Sequence, residues 1–214
     1  MADPRLFRLR VTFRETGRLA LLSHLEVARA LERAVRRANL PYAVSQGFSP
    51  HMRIAFGAAL PVGVGGTAEF FDLFLTKYVA APKALAALQA ASPADLYPTD
   101  ARYIEARDAA ASVACPISTY EVRLSEAPTA LVVPETITVV RKKKEKTLVV
   151  EEFLVGPVSH EGDTLRFTLE AKPTGSLRAD AFVRELIAAT VAAGHAADGL
   201  HPVNFMRVDQ RAAE

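Results

Sequence analysis

The feature that most constrains the fold is a helix with clear signals at both ends. Ser23 and Glu26 have the spacing of a capping box, in which each side chain satisfies a backbone N–H at the helix start. Pro41 stops the helix, because the residue before a proline is pushed out of the helical region. The predicted buried stripe consists of Leu25, Ala28, Leu31 and Val35. A helix with one apolar side must be covered by another element.

The order of elements around this helix predicts the fold of the first half. The other elements are predicted to be strands at residues 6–13, 53–56, 69–77 and 100–106 and a helix at 82–91. The resulting order is strand, helix, strand, strand, helix, strand. This is the order of a ferredoxin-like sandwich, in which helices cover one face of an antiparallel sheet.

The second half repeats part of that order. Strands are predicted at residues 119–124, 137–142, 148–154, 165–171 and 203–208, and a helix at 179–193. The opening helix is lost or replaced by strands. We therefore predict an α+β protein of two tandem ferredoxin-like sandwiches, with domains at residues 1–112 and 113–214. The alanine-rich segment from 107 to 115 is the predicted link between them.

Composition limits the functions that remain. Cys115 is the single cysteine, which excludes an internal disulfide and a cysteine-based metal cluster. The five histidines lack ligand spacing, so neither a metal nor a cofactor is predicted. No apolar run approaches 18 residues and no secretory signal is evident, which predicts no membrane contact and a cytoplasmic location. Residues 1–60 contain ten arginines and four acidic residues, a net charge of +6 that favours an anionic partner.

One face of the predicted helix is basic. Arg29, Arg33, Arg36 and Arg37 follow one another at i, i+4, i+7 and i+8, so they point away from the apolar stripe. These side chains could bind the phosphates of a nucleic acid. The alternative is a solvated helix face, on which Glu32 and Arg36 form a weak i,i+4 pair.

The loop after the helix is the second candidate for ligand binding. Gly47 can supply a positive φ, Phe48 is expected to anchor the loop in the core, and Pro50 stiffens it. The candidate binding residues of this segment are Ser45, Gln46, Gly47, Phe48, Ser49, His51 and Arg53. We expect the arginine face and this loop to line one water-facing recess. A packed structural loop is the alternative.

Three other features have residue types that can carry chemistry. His24, in the first helical turn, could act as a general base, but the position is more often that of a residue that packs beside the cap and bonds a loop carbonyl. The basic run at residues 141–146 could touch nucleic acid or form a solvated hairpin tip. Glu69 and Asp72 are expected on opposite sides of a strand, which argues against paired-carboxylate chemistry.

Several motifs together resemble a bacterial radical-SAM-associated domain family, whose members occur alone or at the C-terminal end of radical SAM proteins. The motifs are Ser23-His24-Leu25-Glu26, Arg36-Arg37-Ala38-Asn39-Leu40-Pro41, Ser45-Gln46-Gly47-Phe48-Ser49-Pro50-His51, Leu60-Pro61-Val62-Gly63, Ala68-Glu69-Phe70 and Gly175-Ser176-Leu177-Arg178. The resemblance implies a radical SAM partner and a link to RNA metabolism. The three-cysteine motif that holds an iron–sulfur cluster is missing, so the chain is not itself expected to be a radical SAM enzyme.

The function predicted from the sequence is that of a radical-SAM-associated accessory protein that binds tRNA or rRNA through the basic helix and the polar loop. One alternative is a metal-independent endoribonuclease that uses His24. Its tandem sandwiches would be similar to those of CRISPR RNA-processing nucleases, although the glycine-rich loop expected near their C-terminus is missing. Another alternative is a protein-interaction module for a radical SAM partner, in which the surface of residues 23–53 meets protein.

Overall fold

The chain divides into two compact units, Met1–Cys115 and Pro116–Glu214. The structure is a computed structural model, and it describes residues 6–141, 144–173 and 175–213. The sequence-based boundary lies between residues 112 and 113. Each unit contains both helices and strands, so the protein is of the mixed α+β class.

The first unit has the order of elements predicted for it. Its strands and main helices are β1 (Phe7–Glu15), α1 (His24–Arg37), β2 (Ile54–Phe56), β3 (Gly65–Leu75), α2 (Ala81–Ala91) and β4 (Leu96–Ile104). A 3-10 turn at Gly17–Leu21 and the short helix α3 (Ala111–Ala114) were not predicted. β3 begins earlier than expected, because Gly65 and Gly66 belong to the strand instead of the connector before it.

The strands of the first unit form a sheet in the order β4-β1-β3-β2. Each neighbouring pair is antiparallel. Phe71 of β3 lies opposite Val11 on one side and Phe56 on the other, and Glu15 lies opposite Gly66 at the end of β1. This register places the end of β1 beside the start of β3.

The core of the first unit lies on one face of this sheet. Leu9 and Val11 of β1 are fully buried there, together with Leu31 of α1 and Leu88 of α2. Both helices therefore cover the face that carries the odd-numbered residues of β1. The even-numbered residues of β1 include Arg8 and Arg10, and they point to the other face.

The buried stripe of α1 differs from the predicted one. Leu25 is 68% exposed, whereas Val27 and Ala34 are buried beside Leu31 and Val35. The buried positions are thus i, i+4, i+7 and i+8 counted from Val27, which rotates the apolar side away from Leu25. The predicted stripe was wrong at Leu25, and its replacement by Val27 leaves an exposed leucine in the first turn.

The second unit contains one main helix and two sets of paired strands. Its elements are β5 (Ile117–Leu124), β6 (Thr136–Arg141), β7 (Lys144–Val149), β8 (Ser159–Glu161), β9 (Thr164–Glu170), α4 (Ala179–Ala192) and β10 (Pro202–Arg211). Four of the strands are antiparallel neighbours in the order β10-β5-β9-β8. β6 and β7 form a separate hairpin.

A hairpin occupies the place that a helix holds in the first unit. Between β5 and β8 the chain forms β6, β7 and a 3-10 turn at Val150–Glu152. The strand predicted at 148–154 was wrong in its second part, because β7 ends at Val149. α4 packs on the sheet through Phe182, whose ring centroid lies 4.9 Å from that of Phe167 on β9.

Candidate functional site

The start of α1 has the predicted capping box. The backbone N–H of Ser23 donates to Glu26 Oε2 at 2.8 Å, and Ser23 Oγ donates to the same oxygen at 2.7 Å. These two hydrogen bonds hold the pKa of Glu26 below its ordinary value, and the one from the Ser23 side chain contributes more than the one from the backbone. The helix start is therefore fixed by local contacts, and α1 presents its faces in a defined direction.

The four arginines of α1 are all exposed, but they differ in their partners. Arg36 Nη2 lies 3.4 Å from Glu32 Oε2, a weak surface pair. Arg37 turns to the end of α2 and donates to the carbonyl of Ala91 from Nη2 at 2.7 Å and from Nε at 3.2 Å. Within the described part of the chain, Arg29 and Arg33 form no hydrogen bond and no salt bridge within 4 Å, although the charge of Arg29 contributes to the lowered pKa of Glu26. Of the four arginines of α1, these two are the most available to a ligand.

The segment that follows Glu32 has a net positive charge. Residues 33–68 contain four arginines and no Asp, Glu or Lys, a net charge of +4. This segment includes the second half of α1, the polar loop and β2. Such a distribution favours an anionic ligand over a cationic one.

The polar loop is closed by hydrogen bonds at its base. The N–H of Ser45 donates to the carbonyl of His51 at 2.8 Å, and the N–H of His51 donates to Ser45 Oγ at 3.0 Å. Just outside this closure, Ala43 and Met52 are buried. The base is therefore held in the protein, while the residues between Ser45 and His51 are exposed.

Phe48 does not anchor the loop in the core, contrary to the prediction. Its side chain is fully exposed, at 110% of the reference area. Met52 supplies the anchor instead, because it belongs to the same buried cluster as Val35 of α1. Gly47 has φ of +127°, a conformation that favours glycine, as predicted for this position.

Arg53 follows the loop and is half-buried. Its N–H donates to the carbonyl of Ala43 at 2.8 Å, and its guanidinium carbon lies 5.2 Å from the centre of the Phe74 ring. This cation–π contact fixes the side chain against β3. Arg53 thus serves the packing of the loop base in addition to its positive charge.

His24 lies at a small recess near the start of α1. Its ring meets Phe56 edge-on, with centroids 5.4 Å apart. The side chain forms no hydrogen bond to a described residue, so the expected bond to a loop carbonyl is not seen. The recess holds about 20 Å³ and is lined by Phe13, Glu15, His24, Val27, Phe56, Gly57, Ala58, Ala59, Leu60, Glu69 and Phe70.

The recess does not bring the predicted site residues together. His24 lines it, but the arginines of α1 and the residues of the loop from Ser45 to Arg53 do not. Glu15 and Glu69, which sequence reasoning left out of the site, are both buried at its wall. A cavity of this size holds about one water molecule, so it does not by itself enclose a nucleotide. This recess is therefore not the one expected to be shared by the arginines and the loop, and that shared recess stays a prediction.

Gly66 makes room for the carboxylate of Glu69. A Cβ built on Gly66 would lie 2.4 Å from Glu69 Oε1 and 2.7 Å from its Cγ. The side chain of Glu69 thus occupies the space that any larger residue at position 66 would need.

Glu69 and Asp72 point to opposite sides of β3, as expected. Glu69 lies opposite Phe13 of β1, and Asp72 lies opposite Arg10 on the other face.

The other face of the sheet carries an ion cluster that the sequence did not reveal. Asp72 is fully buried and accepts from Arg8 Nη2 at 2.7 Å and from Arg10 Nε at 2.7 Å. The hydrogen bond to Asp72 raises the pKa of Arg10 above its ordinary value. Arg10 also lies over the ring of Phe70, at 4.6 Å. The available signal was Asp72, the one carboxylate in the otherwise apolar run from residue 70 to residue 75, because β1 carries Arg8 and Arg10 in its alternating pattern.

Arg8 also holds the segment predicted to link the domains. Its Nη1 donates to the carbonyl of Asp108 at 2.8 Å and its Nη2 to that of Ala109 at 2.7 Å. The beginning of residues 107–115 is therefore bound to the first unit. Arg8 and Arg10 therefore have structural roles, which distinguishes them from Arg29 and Arg33.

The basic run of the second unit lies partly at the end of the β6–β7 ladder. Arg141 pairs with Lys144 as the last pair of this hairpin, and Lys146 lies opposite Val139. Lys142 and Lys143 lie outside the described residues. The hairpin predicted for this run is present, and its contact with nucleic acid stays a prediction.

Two further properties bear on the class of protein. Among the described residues, no group of three or more His, Cys, Asp or Glu side chains is placed to hold a metal ion. The helices in the same part of the chain are too short or too polar to cross a membrane. The molecule is an α+β protein of two units. It has an exposed arginine face on α1, and a small recess at the start of that helix is lined by two glutamates.

The chain belongs to a bacterial family described as an uncharacterized protein conserved in bacteria (DUF2344), whose model matches residues 8–178. The match includes the capped helix, the polar loop, the recess and the ion cluster around Asp72. A comparison with curated proteins gives no match. The family description names no partner, reaction or ligand.

Proposed function

We propose that this protein is an accessory protein that binds RNA through the exposed arginine face of α1 and the polar loop that follows it. The observation that carries the proposal is the state of Arg29 and Arg33, whose guanidinium groups are exposed and form no hydrogen bond or salt bridge within 4 Å to a described residue. The absence of carboxylates from residues 33–68 adds to it. Guanidinium groups of this kind bind phosphates without regard to sequence and in a salt-dependent way.

The proposed architecture is a tandem pair of ferredoxin-like sandwiches. The strand orders β4-β1-β3-β2 and β10-β5-β9-β8 place the first and third strands of each unit at the centre of its sheet. That arrangement supports the proposal, with the β6–β7 hairpin in place of the opening helix of the second unit. Such folds host many functions, so the argument for RNA rests on α1 and the loop.

RNA titrations at several salt concentrations test the proposal. We expect the Arg29→Gln/Arg33→Gln variant to bind single-stranded RNA more weakly and with a shallower salt dependence. Each lost phosphate contact lowers the slope of log K against log salt by about 0.7. The matched control is Arg107→Gln/Arg184→Gln, which removes two exposed arginines that are ion-paired with Glu105 and Glu185. Equal losses in both variants would reject a specific role for α1.

The radical SAM partner is the second part of the proposal, and it rests on the motif resemblance. The exposed side chains of Leu21 and Leu25 at the start of α1 give such a partner an apolar contact. Val62 is also exposed. Its loop is held next to Leu21, because the N–H of Gly63 donates to the carbonyl of Ala20 at 2.8 Å. We expect a radical SAM protein from the same bacterium to co-purify after nuclease treatment, and Leu25→Ser to reduce its yield. Unchanged recovery with Leu25→Ser would exclude this surface.

One observation favours a second candidate function, metal-independent cleavage of RNA. His24 shares its recess with Glu15 and Glu69, and His and Glu are residue types that serve in general acid–base catalysis. This function predicts 2′,3′-cyclic phosphate ends formed in EDTA by the wild-type protein and no such ends with His24→Ala. A His24→Ala protein that still cleaves would remove His24 from the reaction.

A further inference from the structure

The exposure of Phe48 needs an explanation other than packing. The loop that carries it is closed by the hydrogen bonds between Ser45 and His51, and it is anchored by the buried Met52. Its shape therefore does not depend on the phenyl ring. Gly47, with φ of +127°, leads the backbone into the position from which Phe48 projects. The protein holds a large apolar ring in solvent on a loop whose base is fixed.

The net charge of the segment that carries Phe48 indicates the kind of ligand that would cover the ring. The segment from residue 33 to residue 68 has a net charge of +4 and contains no carboxylate. The polar residues of the loop, Gln46, Ser49 and His51, include no carboxylate. An exposed apolar ring on a basic, polar segment matches a ligand that combines flat apolar surfaces with phosphates. Nucleotides have that combination, and an acidic protein segment lacks the flat surfaces.

We infer that Phe48 is a stacking platform for an unpaired base, so that the ligand is single-stranded RNA or an RNA loop. This inference rests on the proposed RNA binding and specifies its substrate class. In a duplex the base faces are already stacked on their neighbours and are not open to a side chain. Stacking on an aromatic ring is tolerant of sequence, because every base has a π-face. Phosphates of the same strand then reach arginines of the basic segment.

The first test compares Phe48→Ala with the wild-type protein in fluorescence anisotropy titrations. The probes are a short labelled single-stranded RNA and a blunt duplex that contains the same strand. We expect Phe48→Ala to lower the affinity for the single strand by about 5- to 150-fold, the range measured for loss of one stacked base. Affinity for the duplex stays unchanged. Phe48→Tyr retains single-strand binding, whereas Phe48→Leu, which is apolar but not aromatic, loses it.

The second test uses the absence of tryptophan from the chain. Phe48→Trp introduces a single tryptophan at the loop, and stacking on a base quenches its fluorescence. Tyr78→Trp is the matched control, because Tyr78 is also an exposed aromatic residue of the first unit. We expect quenching by the single-stranded RNA only with Phe48→Trp. Circular dichroism of each variant verifies that the fold is kept.

The outcomes separate this inference from the proposed function. If the wild-type protein binds the single strand and Phe48→Ala binds it equally well, stacking is wrong and RNA binding stands. If Phe48→Leu retains full affinity, the contact is apolar instead of aromatic, and the inference fails. A wild-type protein that binds neither RNA overturns both proposals. Loss of a co-purifying radical SAM protein from Phe48→Ala, with RNA binding intact, would assign Phe48 to a protein interface and overturn the inference.

Discussion

The first unit carries arginines on two surfaces, and they have opposite roles. Arg8 of β1 is buried and Arg10 is largely buried against Asp72, and Arg8 also binds two backbone carbonyls. Arg29 and Arg33 of α1 are exposed, and neither forms a hydrogen bond or a salt bridge within 4 Å to a described residue. The comparison shows that an arginine is available to a ligand only where the fold supplies no carboxylate or carbonyl for it. Spacing along the chain does not reveal that difference, because the partners come from other strands.

The largest effect is expected when the β1 cluster loses its carboxylate. Asp72→Ala leaves two largely buried guanidinium groups without their shared partner, which destabilises the fold by about 3–5 kcal/mol. Urea unfolding followed by circular dichroism measures the change. The control is Asp180→Ala, which removes the exposed partner of Arg178 and should cost less than about 1 kcal/mol. Similar losses for the two variants would contradict a structural role for the buried cluster.

Two glycines extend the same comparison to the backbone. Gly66→Ala places a Cβ against the Glu69 side chain, so we expect a loss of about 1–3 kcal/mol and a displaced carboxylate. At Gly47 a Cβ meets nothing within 4 Å, and only the positive φ opposes it. Gly47→Ala should therefore cost about 1 kcal/mol, and it should act on the loop without moving the recess. Thermal denaturation ranks the two variants, and a milder effect at Gly66 than at Gly47 would contradict the packing argument.

The cap of α1 lies between these extremes, since it is exposed yet hydrogen-bonded. Ser23→Ala removes the hydroxyl from the capping box and should destabilise the protein by about 1 kcal/mol at neutral pH. Because the folded-state pKa of Glu26 is depressed, its contribution is present above the ordinary glutamate pKa and disappears as the pH falls through the lower folded value. We therefore expect the difference between wild type and Ser23→Ala to narrow in acid.

Two measurements verify this prediction for the cap. Thermal denaturation at neutral and acidic pH gives the stability difference, and a carbon-detected NMR titration gives the pKa of Glu26. In Ser23→Ala that pKa should move back towards its ordinary value, because one of the two hydrogen bonds to the carboxylate is gone. If the stability difference between wild type and Ser23→Ala grew in acid, the predicted contribution of the Glu26 carboxylate to the cap would be wrong.

The sequence predicted those parts of the fold that depend on local signals. The capping box and Pro41 gave the limits of α1 to within a few residues, because both act through neighbouring backbone groups. The order of elements in the first unit followed from periodicity. The phase of α1 was wrong at Leu25, because the choice between Leu25 and Val27 as the buried residue depends on how the helix lies on its sheet.

The candidate site was less predictable, because it depends on strand register and on contacts between distant segments. Glu15 and Glu69 reach one recess only because Phe13 lies opposite Glu69 and Glu15 opposite Gly66. Phe48 was expected in the core on the basis of its hydrophobicity, yet Met52 already fills the position that anchors the loop. Hydrophobicity alone does not decide which of two nearby apolar residues turns inward.

The smallest effect on stability is expected at the exposed arginines, and it completes the comparison. Arg33→Gln should change the free energy of unfolding by no more than about 0.5 kcal/mol, because no described residue loses a partner. Arg37→Gln is the matched variant on the same helix, and it removes the hydrogen bonds from Arg37 to the carbonyl of Ala91. We expect the two variants to rank in opposite order in the two measurements. In RNA titrations Arg33→Gln should lower the affinity more, and in urea unfolding Arg37→Gln should lower the stability more. If Arg33→Gln proved the more destabilising, the arginine face of α1 would be a structural surface like that of β1, and its assignment to RNA would lose its basis.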